Sequence, residues 1–215
     1  MNFDRIAPFY QLIESVTAGS SVQQCRTALL HHLARAKSVL LLGEGNGRFL
    51  TELMEQFPDM KITIVDSSAN MLGLLRKRLA KRFLNEANLT LVQADIREWH
   101  FPHQAFDAVV TNFFLDCFRP IELQTLIHRI ASSIKPHGLW MIADFNRPPQ
   151  LIRGLRASII LNLMYGFFRR TAHLDAKRLT SPDEHLEDAG FHLRERELRD
   201  WGLMHADVWE HRATG

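Results

Sequence analysis

The chain reads as an α/β domain in three layers, a mostly parallel sheet covered by helices on both faces, and three observations carry that reading. Apolar runs of strand length alternate with segments of helical period between residues 38 and 145, the order that builds a parallel sheet with right-handed crossovers. Val39 to Leu42 stops abruptly at three alternating glycines, Gly43, Gly45 and Gly47, and a helical pattern through Phe49, Leu50, Leu53 and Met54 follows. The next apolar run, Ile62 to Val65, ends in Asp66, roughly 20 residues beyond the loop, where a nucleotide-binding sheet places an acid to accept from both ribose hydroxyls.

The loop chemistry follows from the residue type. Without a Cβ, glycine accepts positive φ at a sharp turn and lets the backbone close on a ligand. A helix that starts near Gly47 aims unpaired N–H groups and a partial positive charge at whatever lies above the loop.

Composition bounds the rest. At 215 residues the chain suits one domain with a modest cover, and its 46% hydrophobic and 23% charged shares are ordinary for a globular protein. A net charge of +2 gives no reason to invoke nucleic acid; the basic run Arg76, Lys77, Arg78, Lys81, Arg82 reads as a solvated helix face. Cys25 and Cys117 match no metal or disulfide spacing, and the 11 histidines include no paired ligand motif, so no metal is expected. No run approaches the ~18 residues of a spanning helix and the start carries Asp4 rather than a signal core, so a cytoplasmic protein is expected.

Taken in order, residues 3–17 mix Phe3, Ile6, Phe9, Tyr10, Leu12, Ile13 and Val16 around Pro8, a helical flap in which Tyr10 either caps a cofactor or simply packs. Ser20 or Ser21 caps a helix striped by Val22, Cys25, Ala28, Leu29 and Leu33. After Asp66, Ser67 or Ser68 caps a helix through Met71, Leu72, Leu75 and Leu79; Leu89 to Gln93 is a third strand, and Phe106 to Thr111 a fourth, ending in Asn112. Pro120 opens a helix striped by Ile121, Leu123, Leu126, Ile127, Ile130 and Ile134, which Pro136, His137 and Gly138 break before a fifth strand, Leu139 to Ala143, ending at Asp144. Residues 149–170 are apolar almost all round and bracketed by Arg147, Arg153, Arg156, Arg169 and Arg170: a buried cover, or a lid over a greasy pocket that touches an anionic membrane surface. Ser181 to Glu184 form a capping-box start to a helix ending at Gly190, and Phe191 to Leu198 and Leu203 to Trp209 form a terminal antiparallel hairpin. The divisions are thus a flap (1–36), a core (37–145), a lid (146–180), and a last helix with the hairpin (181–215).

The stretches V-L-L-L-G-E-G-N-G, I-V-D-S-S-A-N-M-L, Q-A-D-I, F-D-A-V-V-T-N-F-F-L-D and I-K-P-H-G-L-W-M-I-A-D-F, in this order and spacing, resemble the class I, Rossmann-like S-adenosylmethionine-dependent methyltransferases over residues 37–211. The resemblance implies a seven-stranded sheet whose last strand is antiparallel. It implies that Gly43, Glu44, Gly45, Asn46 and Gly47 approach the methionine half of the cofactor and that Asp66, with Ser67 and Met71 beside it, holds the ribose. Asp95 and the Ile96 N–H then meet the adenine, and Asn112 lies near the transferred methyl. Leu41 stands where most members carry an acid, and Glu44 is the carboxylate expected to take over that contact. The opening D-R-I-A-P-F-Y and the arginine-bracketed segment look similar to the ubiquinone and menaquinone biosynthesis group.

Methyl transfer from a sulfonium is an in-line displacement, so alignment and water exclusion carry much of the catalysis. An acceptor that is a phenol, enol or carbon acid needs a base as well, for which Asp116, Asp144, His173 and His205 are candidates by location; Phe113, Phe114, Asp116 and Tyr165 are expected on the acceptor side. The expected function is methylation of a small apolar acceptor, a quinone precursor, lipid or aromatic metabolite, leaving S-adenosylhomocysteine. RNA or protein methylation, and a catalytically silent binding protein, stand as alternatives. A nicotinamide enzyme is disfavoured because Arg48 occupies the position where close helix packing wants Gly or Ala.

Overall fold

The computed structural model describes residues 19–146 and 181–212. Tyr10, Tyr165 and His173, the expected flap over 3–17 and the lid over 149–170 lie outside the described residues.

Seven strands form one sheet: β1 (Ser38–Leu42), β2 (Lys61–Asp66), β3 (Leu89–Gln93), β4 (Phe106–Asn112), β5 (Ile134–Phe145), β6 (Phe191–Arg199) and β7 (Met204–His211), in the spatial order β3-β2-β1-β4-β5-β7-β6. The first five pair in parallel, and β7 runs antiparallel to both β5 and β6. The order reverses between β1 and β4, and such a switch point opens a crevice beyond the carboxyl ends of the strands. The three-layer sheet with its terminal hairpin is as expected from the alternation of apolar runs.

Alternate residues of each strand feed two cores. On one face Val39, Leu41, Ile62, Ile64 and Val110 pack against helix α1 (Gly19–Thr27), helix α2 (Arg48–Gln56) and helix α3 (Ala69–Arg82). On the other, Leu40, Leu42, Val109, Trp140, Ile142 and Trp209 pack against helix α4 (Pro120–Ala131) and, through Leu186, helix α5 (Asp183–Asp188). Burial of these side chains is worth roughly 1.5–3 kcal/mol each, which is why the period-2 pattern fixes the register so firmly.

Four boundaries differ from expectation. α1 already includes Gly19, so Ser20 and Ser21 lie inside it; it stops at Thr27, and a separate 3-10 turn over Leu30–Arg35 buries Leu30 and Leu33. α4 ends at Ala131, leaving Ile121 exposed and handing Ile134 to β5. Pro136, His137 and Gly138 do not break the chain out of the sheet: β5 begins at Ile134, opposite Phe106, and a register irregularity between Phe106 and Ala108 accommodates Pro136, with His137 at φ 60°. Gly138 is required there because a Cβ would come 2.8 Å from the Lys135 carbonyl and 3.0 Å from that of Asp107. Finally, Ser181 accepts the Asp183 N–H, but α5 shows no full capping box.

Candidate active site

The glycine loop is built as a tie between β1 and β2. The Gly43 N–H donates to the Val65 carbonyl (2.9 Å), and the Gly45 N–H to Asp66 Oδ2 (3.0 Å). The other oxygen of Asp66 accepts the Ser68 N–H (2.9 Å). Asp66 is buried, so these bonds set its carboxylate at the mouth of the crevice with a definite orientation. Ser68 rather than Ser67 caps α3, accepting the Met71 N–H (3.2 Å); Ser67 is exposed.

All three glycines have positive φ, and they differ in what surrounds them. A Cβ on Gly43 would lie 2.3 Å from the Phe114 ring, and one on Gly47 would lie 3.0 Å from Leu75, whereas one on Gly45 would meet nothing within 4 Å. Gly45 therefore borders open space. Beside it, the buried Asn46 side chain leaves its Nδ2 donor without a partner among the described residues. A buried unpaired donor is costly unless something else satisfies it. Donor, open space and Asp66 carboxylate together fit a ligand that carries a carboxylate and a sugar diol.

Position 41 and Glu44 have other partners than a bare motif comparison implies. Leu41 is fully buried between Ile64 and Val110 in an apolar layer. The Glu44 carboxylate turns to the start of α2 and accepts the Leu50 N–H (2.9 Å). Burial pushes its carboxyl up to about 7, against the pull of that N–H and of the Arg26 guanidinium. On the adenine side, Asp95 Oδ1 accepts the Arg97 N–H (2.9 Å) and Oδ2 lies 3.4 Å from the Arg97 guanidinium. The Ile96 N–H donates to no group among the described residues.

The far half of the crevice, at the ends of β4 and β5, brings together aromatic and ionisable side chains. Asn112 ends β4, buried; Phe113 follows at φ 52°, held by its N–H on the Ala143 carbonyl (2.7 Å). A bulky residue in that region is strained, and the flanking pairs hold it there: Phe113 against Phe145 and Phe114 against Phe118, at ring separations of 4.8 and 5.1 Å.

Three of the four candidate bases lie near one another. The Asp116 N–H donates to Asp144 Oδ2 (3.3 Å), and Asp144 stands opposite His205 in the β5–β7 register. Burial, then the Asp116 charge, raises the Asp144 carboxyl well above its usual range although the Phe145 and Asp116 N–H groups oppose this. His205 Nδ1 lies 2.9 Å from Asp207 Oδ2. Asp207, fully buried, also receives both arms of Arg196 (2.8 and 2.6 Å), and Arg196 reaches on to Asp183 at 3.0 Å. Burial works against the Asp207 charge, but Arg196 and His205 outweigh it and its carboxyl is lowered. Cys117, its thiol 3.5 Å from Asp116 Oδ1, is raised well above the ordinary thiol range by burial and by both aspartates, so it stays neutral.

Two features escape linear reading. Arg26 is buried, with its guanidinium 5.5 Å from the centre of the Phe113 ring. The signal for it is a cation one turn from Val22 and Leu29 on an apolar helix stripe. The Asp183–Arg196–Asp207 chain is signalled by an aspartate alternating with Trp209 in a strand, a position that an acid occupies only with a partner. Of the histidines, His31 and His32 approach Glu195 with ligand atoms within 4.8 Å of one another, on the turn just before the amino end of β1 and outside the crevice. Among the described residues no helix is long and apolar enough to cross a membrane.

A sequence model described as a methyltransferase domain matches residues 39–138. The chain is 27% identical over 156 residues to a ubiquinone/menaquinone biosynthesis C-methyltransferase of Syntrophotalea carbinolica, covering 71% of this chain and 64% of that protein. It is 27% identical over 142 residues to a carboxy-S-adenosyl-L-methionine synthase of Desulfotalea psychrophila, covering 66% of this chain and 54% of that protein. The chain thus spans between half and two thirds of the length of these relatives. Among solved structures, 1,6-didemethyltoxoflavin-N1-methyltransferase of Burkholderia thailandensis, with its substrate and S-adenosylhomocysteine bound, superimposes with a TM-score of 0.67 at 20% identity, covering 96% of this chain and 85% of that one. Loop, acid and strand order agree with these comparisons: the chain has the class I S-adenosylmethionine-dependent methyltransferase fold and is loosely related to the ubiquinone and menaquinone methyltransferases.

Proposed function

We propose that the protein transfers a methyl group from S-adenosylmethionine to a small apolar acceptor of the quinone-precursor, lipid or aromatic-metabolite kind. The observation that carries this reading is the open space at Gly45 placed directly against the buried Asp66 carboxylate. In this reading Asp66 accepts from the ribose hydroxyls. Gly43, Gly45, Gly47 and the orphaned Asn46 Nδ2 hold the amino-acid end, and the Ile96 N–H and Asp95 face the adenine. Glu44 keeps α2 capped and presents its second oxygen to the ammonium group. Ser67, Met71 and Asn112 complete the enclosure. When bound, the cofactor supplies an electrophilic methyl on sulfur.

The chain's own contribution is positioning and dryness. The two aromatic pairs at the end of β4, Phe113 with Phe145 and Phe114 with Phe118, favour a flat apolar acceptor and keep water from the transfer. The similarity to a ubiquinone/menaquinone biosynthesis C-methyltransferase and to a 1,6-didemethyltoxoflavin-N1-methyltransferase supports the same class. The two free thiols support a reducing, cytoplasmic setting.

The test is to incubate the protein and methyl-labelled S-adenosylmethionine with a cell extract and to separate organic-soluble, RNA and protein fractions. Label in the organic-soluble fraction is expected. Label confined to RNA or protein, or calorimetry that finds no uptake of the cofactor, would defeat the proposal.

A further inference from the structure

We infer that Asp116 is the base that takes the proton released by the acceptor, and that Asp144 behind it is the positioning residue that holds it at the crevice floor. The inference rests on the methyl-transfer reading above and narrows its substrate: the atom methylated carries a removable hydrogen, as in a phenol, an enol or an acidic C–H.

The geometry is specific. Asp116 sits in the short 3-10 turn Leu115–Cys117 that follows Phe113 and Phe114, so its position is tied to those two aromatic residues. Its backbone N–H is anchored on Asp144 Oδ2, and the Phe145 N–H holds Asp144 Oδ1 (2.8 Å). Asp144 is buried while Asp116 is partly open, so of the two carboxyl groups it is Asp116 that an acceptor can reach. The groups facing this pair come from every neighbouring element. Cys117 lies beside Asp116, with Arg97 acting on that thiol; His205 and Asp207 face Asp144 from β7; Cys25 feels Asp144 from α1; and Arg196 closes the network behind Asp207. Two negative charges this close in a sparsely hydrated place repel, and the buried member keeps its proton. Burial and the Asp116 charge favour the protonated form of Asp144, which leaves Asp116, the more open of the two, as the carboxyl group able to take up a proton.

The step balances. The acceptor's electron pair forms the new bond to the methyl carbon while the carbon–sulfur bond breaks and its pair returns to sulfur. The hydrogen leaves the acceptor as a proton to an Asp116 oxygen. A cation, a neutral acceptor and a carboxylate become a thioether, a neutral methylated product and a carboxylic acid, so a buried cation–anion pair is discharged together.

Three measurements test this on the full chain, with the organic-soluble extract fraction as acceptor source. First, Asp116→Asn lowers labelling by about 100-fold or more while cofactor affinity by calorimetry and melting temperature stay near wild type; Asp116→Glu recovers part of the loss. Second, the labelled product passes a cation exchanger as a neutral species. Third, carboxyl 13C resonances, assigned with Asp116→Asn and Asp144→Asn, show the Asp144 titration moving to lower pH once Asp116 is neutral. A loss below about tenfold, label retained as a permanent cation, or an unmoved Asp144 midpoint would overturn the assignment. If wild type takes up no cofactor, it is the methyl-transfer reading that fails, and calorimetry distinguishes that outcome.

Discussion

The two halves of the crevice are made of different materials. Around β1 and β2 the working groups are main-chain N–H groups, three glycines and two acids, Glu44 and Asp66, all within Gly43–Ser68. Around β4, β5 and β7 they are ionisable side chains, Asp116, Asp144, Asp183, Arg196, His205 and Asp207, recruited from segments up to 91 residues apart. The first half recognises by shape and by a fixed pattern of donors. The second half stores charge, and its properties depend on which partners are present. The difference teaches where each half should fail: backbone sites lose ligand when a Cβ intrudes, while charge networks lose stability when one member is deleted.

The largest effect is expected in the charge network. Asp207→Ala leaves the Arg196 guanidinium without the fully buried carboxylate that receives its fork, and removes the carboxylate 2.9 Å from His205 Nδ1. Breaking such a pair from one side costs about 3–5 kcal/mol, a melting loss of roughly 6–20 °C in a chain of this size. Thermal melts of Asp207→Ala beside Asp66→Ala would show whether the network or the loop is the structural keystone; equal losses would erase the distinction drawn here.

Next comes the diol-binding acid of the backbone half. Asp66→Asn keeps the shape but gives up the charge that accepts from a diol, and hydrogen bonds to charged groups are worth about 1.5–3 kcal/mol. Cofactor affinity should fall roughly 10- to 100-fold in calorimetry, with the acceptor-side titrations untouched.

This contrast also explains what could be read from the chain before the fold was known. Strand order, the glycine loop and Asp66 were legible because their signals are local: an apolar run, then a residue type only that backbone tolerates. Ser68 against Ser67 as the cap of α3 was not decidable from spacing alone, since either hydroxyl is near the helix start; burial of Ser68 decides it. The early start of β5 was hidden because Pro136 and Gly138 ordinarily end an element, and only pairing of Ile134 with Phe106 shows them inside a bulged strand. Asp116, Asp144 and His205 were visible singly, but Asp116 meets Asp144 through the β4–β5 pairing, and His205 stands opposite Asp144 because β7 inserts between β5 and β6, both long-range pairings. Arg26 lay on an apolar stripe, and a stripe with one cation reads as a stripe.

Within the backbone half the glycines sharpen the comparison further. Alanine at either Gly43 or Gly45 carries about 1–2 kcal/mol for a left-handed backbone. Only Gly43→Ala also drives a methyl into Phe114, an overpacking of about 1–3 kcal/mol. Melting should therefore fall further for Gly43→Ala, whereas Gly45→Ala places its methyl in the open space and weakens the cofactor more than the fold. Parallel melts and cofactor titrations read both quantities; a Gly45→Ala protein that binds normally would show that the space at Gly45 is not where the ligand goes.

The smallest effect separates the two halves by sign of pH dependence. Glu44, held at about 7, binds its proton more tightly folded than unfolded, where a glutamate sits near 4.5. Between those values the folded chain carries more protons, so stability falls as pH rises from about 4.5 to 7 and is level above that. Asp207 has the opposite sign: its lowered carboxyl adds stability that is present above the unfolded value near 3.8 and fades as pH drops through the folded one. Glu44→Gln keeps an oxygen to accept the Leu50 N–H and removes the ionisation. It should flatten the decline between pH 5 and 7 by on the order of 1 kcal/mol, a figure reduced because the residue is only partly shielded from water, while leaving the acid limb in place. Denaturant melts at pH 5, 6, 7 and 8 measure it. A steeper decline in Glu44→Gln would mean that the charged form of Glu44 is the stabilising one, and that the start of α2, with Arg26 nearby, holds a carboxylate rather than a carboxylic acid.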